Sequence, residues 1–280
     1  MKNITVGTDI ELFVQNHNGE LVSMMGKLGA DKHHPRQIDK WQNLSIQEDG
    51  ISCEITFDPQ SPAYFVPRAQ QAVGMADEWL RNNLGVSVIP SACEVDIGGA
   101  VGYDPHLDKV GCDPDFDAYV VPQKPRPKLE IEDFGNVRFG SGHLHFGTVG
   151  YGIGAEVPAF IQAQFADLFI GVPFATGIGR YENRRRQFYG RPGLYRPKPY
   201  GFEYRTPANL WLWNANNLRH CIEQFQDIFQ MKLVELKALY KKVNWTLIRT
   251  VIEERRHEDV REQLIEHYTE LKLQLYSIGN

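Results

Sequence analysis

The sequence predicts an α+β fold, a strand-rich first half followed by a helical C-terminal region. Three observations carry this. From about Met1 to Gly150, apolar and polar residues alternate with period two between Gly and Pro punctuation, the mark of half-buried strands. From Asn209 the apolar residues recur at helical spacing instead, and no proline follows Pro207. The 280 residues, 42% hydrophobic and 23% charged, suffice to bury a core without disulfides or a structural metal. The expected division is a sheet-bearing region over 1–208 and a helical region over 209–280, packed on it as one structural domain.

The elements follow in order. Ile4 to Val14 reads as a strand with Ile4, Val6, Ile10, Leu12 and Val14 on one face and Asp9 and Glu11 on the other. Around Ile51 to Phe57, Glu54 opposes Ile51, Cys53, Ile55 and Phe57. Arg68 to Leu84 reads as a helix, because Ala69, Ala72, Val73, Ala76, Trp79 and Leu80 recur at helical spacing before Gly85. The run PQKPRP, Pro122 to Pro127, is a connector that cannot be a central strand. In GSGHLHFG, Leu144 and Phe146 oppose His143 and His145; Val157 to Phe169 then reads as a second helix. In YGFEYRTP, Phe202 and Tyr204 oppose Glu203 and Arg205. The tail reads as two or three amphipathic helices, through Leu233, Leu236, Leu239 and Tyr240, then Val260, Leu264, Tyr268, Leu271 and Leu275. Their expected role is to pack on the sheet or on another subunit.

A net charge of −5 argues against a general nucleic-acid or membrane binder, although Arg180, Arg184, Arg185, Arg186, Arg191 and Arg196 crowd one stretch. Cys53, Cys93, Cys112 and Cys221 are far apart, with no zinc spacing and no disulfide framework, which points to a reducing compartment. The start MKNITVGTDIELFV lacks the basic and apolar regions of a signal peptide. No uninterrupted apolar run approaches the ~20 residues that span a bilayer. The expected location is the cytoplasm.

Each of the four strands carries acid, imidazole or guanidinium on one side. A polar face turned to water is the ordinary reading of one such strand. Together they read differently, because a solvated face carries Lys, Thr, Ser and Gln rather than acids and histidines. Gathering Asp9, Glu11, Glu54 and Glu203 in one cavity is costly without cations, since two like charges ~4 Å apart repel by about 4 kcal/mol at an effective dielectric near 20. Divalent ions reverse that balance, and oxygen-rich ligation with one or two histidines suits Mg²⁺ or Mn²⁺ better than zinc. A cupin-like site would want a Glu soon after His145, and GTVGYGIG offers none. A three-histidine zinc site would need another strand histidine, and the next, His220, falls in an expected helix.

The segment RYENRRRQFYGRPGLYRPKPYGFEYR forms a second constellation. Arginine grips phosphate or carboxylate through two parallel hydrogen bonds, with a charge that does not titrate away. For Arg196 and Arg205, close to Glu203, phosphate contact is the favoured role; for the RRR run a surface patch and a site role weigh equally. Tyr181, Phe188, Tyr189 and Tyr195 are placed to hold those side chains or stack on a base.

In order, TDIELF, EDGISCEITFDP, GSGHLHFG and GFEYR resemble the metal-binding strands of glutamine synthetase and glutamate–cysteine ligase. The closer likeness is to the carboxylate–amine ligases of tailed phages, through GADKHHP, GCDPDF and RRQFYGRPGLYRPKPYGFEYRTPANLW. The resemblance spans roughly Met1 to Asn214, and the C-terminal helices add nothing to it. It implies a curved, mainly antiparallel sheet of the glutamine-synthetase catalytic type. It implies ATP and two or more magnesium or manganese ions, with Asp9, Glu11, Glu54, His143 and Glu203 as metal ligands. By the same likeness His145, Arg196 and Arg205 face the nucleotide phosphates, while Arg185, Arg186, Arg196 and Arg205 stabilise the transferring phosphoryl group. The sequence departs from glutamine synthetase by carrying Asp9 where that enzyme has Glu. Asp49 is the candidate for a further acid near Glu54.

The implied activity is amide formation between a carboxylate and an amine through an acyl phosphate. The substrates would be amino acids, peptides or proteins, with a homo-oligomer allowed and no nucleic-acid or membrane partner. Two other readings stay open here: a two-metal hydrolase or nuclease acting without ATP, and a non-catalytic, virion-associated descendant of the ligase fold. In GCDPDF, Cys112 reads as part of a turn set by Asp113 and Pro114 rather than as a reactive thiol.

Overall fold

The computed structural model describes residues 3–40, 43–106, 108, 115–127, 130–177, 182, 184–213, 217–254 and 257–275. Cys112, Asp113, Pro114, Arg180 and Tyr181 lie outside the described residues. The strands are β1 (Thr5–Leu12), β2 (Val14–Gln15), β3 (Leu21–Val22), β4 (Arg36–Asp39), β5 (Leu44–Asp49), β6 (Ser52–Thr56), β7 (Ser87–Val88), β8 (Glu94–Asp96), β9 (Phe116–Asp117), β10 (Val137–Phe139), β11 (Gly142–Gly147), β12 (Leu194–Lys198) and β13 (Gly201–Tyr204). The helices are α1 (Pro62–Leu84), α2 (Ala159–Ala166), α3 (Val172–Thr176), α4 (Arg185–Phe188), α5 (Leu218–Asp227), α6 (Leu233–Lys242), α7 (Trp245–Glu254) and α8 (His257–Glu270). Eight strands form one antiparallel sheet in the order β4-β5-β6-β1-β11-β13-β12-β9. Helices cover one of its faces, which is the α+β arrangement expected.

Alternation makes that covered face. Ile10, Leu12, Cys53, Ile55, Leu144, Phe146, Phe202 and Tyr204 all point into it and are buried. Phe146 packs on Phe202 and on Phe225 of α5, with ring centroids 5.3 and 4.8 Å apart. The same apolar cluster continues to Tyr268 in α8, whose hydroxyl donates to the carbonyl of Leu168. Residues from both sides of position 208 therefore share one core.

Several boundaries differ from expectation. The first strand stops at Leu12: Phe13 leaves the alternation to join Ile51 and Ile97, and Val14 opens β2 in a small separate sheet. The first helix begins at Pro62, where proline loses no hydrogen bond, and runs on through Pro67 in its interior at the cost of one intrahelical bond. The second reaches Thr176, because a π-helical turn over Asp167–Gly171 joins α2 to α3. Among the described residues the tail holds four α-helices rather than two or three. Polar caps divide it where proline does not: Glu235 accepts from the N–H of Lys232, and Asn244 from that of Leu247. Ala159–Thr176, 18 residues, is long and apolar enough to cross a membrane by length and composition, but 78% of it is buried within this fold as a core helix.

Candidate active site

Strand register assembles the polar residues on the face opposite the core. Residues directly across an antiparallel pair share a face. β1 sets Asp9 against His143 of β11, and Glu11 against Glu54 of β6. β13 sets Glu203 against His145 on one side and against Arg196 of β12 on the other. β5 adds Gln47 opposite Glu54. Six neighbouring strands thus present their acids, imidazoles, amide and guanidinium groups together. Glycine makes the close packing behind them possible: a Cβ at Gly142 would lie 2.6 Å from Trp211 Nε1, which donates to the Gly142 carbonyl.

The ligand atoms fall into two groups. Asp9, His143 and Glu203 each offer an atom within 4.8 Å of the others, and so do Glu11, Asp49 and Glu54. All five expected metal ligands are brought together, and Asp49 joins them. In the second group burial is the main force against ionisation. It pushes Glu11 up to about 8, with Asp49 adding repulsion, against the opposing pull of the Ser141 N–H, Arg205 and Arg185. The Ser141 N–H donates to Glu11 Oε2 at 2.8 Å. Burial likewise raises Asp49, and it raises Glu54 well above the usual carboxylate range, where Asp9, Asp49, Glu11 and Glu203 add repulsion. Gln47 donates to Glu54 at 2.6 Å.

The first group is balanced differently. Burial alone would raise Glu203, but Arg205, His145, Arg196 and Lys198 outweigh it and hold the carboxyl down at about 2. Burial, then Arg205, Arg185 and Arg196, hold His143 well below its ordinary value, so its imidazole is neutral and can ligate. Crowded carboxylates that resist ionisation, beside a neutral histidine, are a donor set that fits a hard divalent cation.

Arg205 is the hub of the cationic side. Its Nη1 donates to Glu203 and lies 3.0 Å from His143 Nδ1, and its Nε is 2.7 Å from Asp115. Arg196 lies 3.3 Å from Glu203 and 3.2 Å from Asp115, and Lys198 Nζ is 3.0 Å from the other Glu203 oxygen. Two guanidinium groups therefore meet beside the first ligand group, and the charge of Arg205 also acts on Glu11 and Asp49 of the second. His145 is held on both ring nitrogens, 2.9 Å from Asp9 and 2.6 Å from the Tyr200 hydroxyl. Burial, then Glu203 and Asp9, push the Tyr200 phenol up.

The remaining arginines are placed otherwise than expected. Arg185 is fully buried; its Nη1 bonds Glu182 at 3.0 Å and the Thr206 carbonyl at 2.9 Å, and its Nη2 bonds Ser141 Oγ and the Pro207 carbonyl. That guanidinium props the strand ends behind Glu11 instead of offering a fork to phosphate. Arg186 is buried too and donates to the Ile252 carbonyl in α7, on the helix-covered side. The aromatic anchor explains this, because Phe188 and Tyr189 pack on Phe134 and turn α4 inward. The sequence reading missed Asp115, Lys198, Tyr200 and Gln47. The Asp49–Gly50 turn was a legible hairpin signal for the β5–β6 pairing that places Gln47, and Lys198 shares the face of Arg196 two residues away.

No curated protein matches this chain. The comparison with protein families covers residues 134–262, which include His143, His145, Glu203 and the arginines from 180 to 205. It runs past Asn214 through α5, α6 and α7, so these helices do belong to the likeness, contrary to expectation. Asp9, Glu11, Asp49 and Glu54 precede the matched span, and their place in the site rests on the geometry above. Residues 134–262 match the family described as Phage phiEco32-like COOH.NH2 ligase-type 2, the phage-type carboxylate–amine ligases that the motifs of this chain resemble.

Proposed function

We propose that this chain joins a carboxylate to an amine at the expense of ATP, with magnesium or manganese held by the two ligand groups. The observation that carries the reading is the pair of acid-rich groups, Asp9–His143–Glu203 and Glu11–Asp49–Glu54, the first of them lying against the guanidinium groups of Arg196 and Arg205. Magnesium would supply charge neutralisation on a polyphosphate and draw the crowded carboxylates into their ionised form. Arg205 and Arg196 would orient the terminal phosphate and offset its charge as it transfers. Lys198 stands next to them as a further cation. His145, held between Tyr200 and Asp9, keeps the first group's outer edge in register.

In this reading an oxygen of the substrate carboxylate bonds to the γ-phosphorus while the bond to the bridging oxygen breaks, giving an acyl phosphate and ADP. The amine nitrogen then bonds to the acyl carbon, loses a proton, and inorganic phosphate leaves. The acid and amine would be amino acids, peptides or protein groups. The test is a screen of such pairs for phosphate release with ATP and magnesium, followed by mass measurement of the product. An amide-linked product formed only with ATP supports the reading. Turnover in nucleotide-free magnesium buffer contradicts it.

A further inference from the structure

Asp167 is a buried carboxylate that the chemistry above does not use. It opens the π-helical turn on the helix-covered side of the sheet and is completely buried. Three separate segments converge on it. The Tyr204 hydroxyl donates to Oδ1 at 2.6 Å, the Tyr119 hydroxyl donates to Oδ2 at 2.9 Å, and the Gly193 N–H donates as well. Each segment also carries a residue of the site on the opposite face. Tyr204 sits between Glu203 and Arg205, Gly193 leads into the strand with Arg196, and Tyr119 lies in the turn after β9, the strand that Asp115 precedes.

Glycines clear the space for this arrangement. A Cβ at Gly171, the last residue of the π turn, would lie 2.4 Å from the Tyr204 hydroxyl, and one at Gly193 would lie 2.7 Å from the Tyr119 ring. Stability alone does not call for such a group, since well-packed apolar residues generally serve a core at least as well as buried polar ones. π-helical turns inside α-helices recur at functional sites.

We propose that Asp167 is a positioning residue: from behind the sheet it ties β9, β12 and β13 together so that Asp115, Arg196, Glu203 and Arg205 converge on the front. This rests on the metal-site reading above and deepens it. The test is calorimetric titration of manganese into the wild-type chain, Asp167→Asn, Tyr204→Phe and Leu168→Ala. The first two variants should weaken one cation site about tenfold, the scale of losing an outer support of a metal ligand, and spare the site of Glu11, Asp49 and Glu54. Leu168→Ala, a buried neighbour that lowers thermal stability, should leave both affinities unchanged.

If Asp167→Asn does not fold, Tyr204→Phe decides the matter, because it removes only a hydroxyl. Wild-type affinities in a folded Tyr204→Phe variant would overturn the proposal. So would an equal loss in Leu168→Ala, which would make the effect one of general loosening. A wild-type chain that binds no manganese would sink the metal-site reading itself, and this inference with it.

Discussion

Glu203 and Arg205, two residues apart on one chain segment, turn to the same face and are joined by a hydrogen bond from Nη1 to Oε1. The pairing gives Glu203 a carboxylate charge that survives burial, while the acids across β1 are pushed the other way. The two ligand groups should therefore answer differently to pH and to mutation.

The first prediction concerns pH. The folded-state value of Glu11 is raised, so its contribution to stability is full below the unfolded value of 4.5 and is lost as pH rises through about 8. Asp49 and Glu54 shift in the same direction. Without divalent ions, the melting temperature should fall between about pH 5 and 8. Saturating magnesium should flatten that slope and release protons on binding near pH 7. Thermal melts with and without magnesium check the first effect, and calorimetry in buffers of different ionisation enthalpy checks the second.

Asp49→Asn should remove one ligand from the second group and relieve repulsion on Glu11. Manganese affinity at one site should drop by roughly an order of magnitude, while the apo protein should become more stable near pH 8 than the wild type. Titration and melting curves measured on the same preparation separate the two effects.

Glu203→Gln should abolish metal-dependent ADP release while leaving the fold intact, because the amide preserves the shape but not the charge between Arg196, Lys198 and Arg205. ADP release at the full wild-type rate would remove Glu203 from the site.

The arginines should divide. Arg185→Met strands Glu182 as a buried unpaired charge, and breaking such a pair costs about 3–5 kcal/mol. Its signature is a large drop in melting temperature. Arg196→Gln leaves Glu203 paired with Arg205 and Lys198, so it should lower stability less than Arg185→Met while weakening ATP binding at least tenfold. Denaturation midpoints and nucleotide titrations of the two variants test the contrast.

The sequence made the polar faces legible, because alternation is a local property: Asp9, Glu11, Glu54, His143 and Glu203 each oppose apolar neighbours within a few residues. Strand order and register are long-range properties. That Asp9 meets His143 and that Glu11 meets Glu54 follows from pairings across more than 40 residues. Only the shared residue types of the four strands and the resemblance pointed to their convergence. Arg185 and Arg186 were misread because residue type says nothing of which way a short helix turns, and aromatic packing on Phe134 decides it. Asp167 sat hidden in an apolar helix pattern, where a lone acid gives no periodic signal. Asp115 lies inside GCDPDF, where the cysteine is the more conspicuous residue.

The most direct measurement is an anomalous difference map from crystals grown with manganese and a non-hydrolysable ATP analogue. The account predicts one peak among Asp9, His143 and Glu203, another among Glu11, Asp49 and Glu54, and a terminal phosphate against Arg196 and Arg205. Peaks elsewhere, or none at these six side chains, would contradict it.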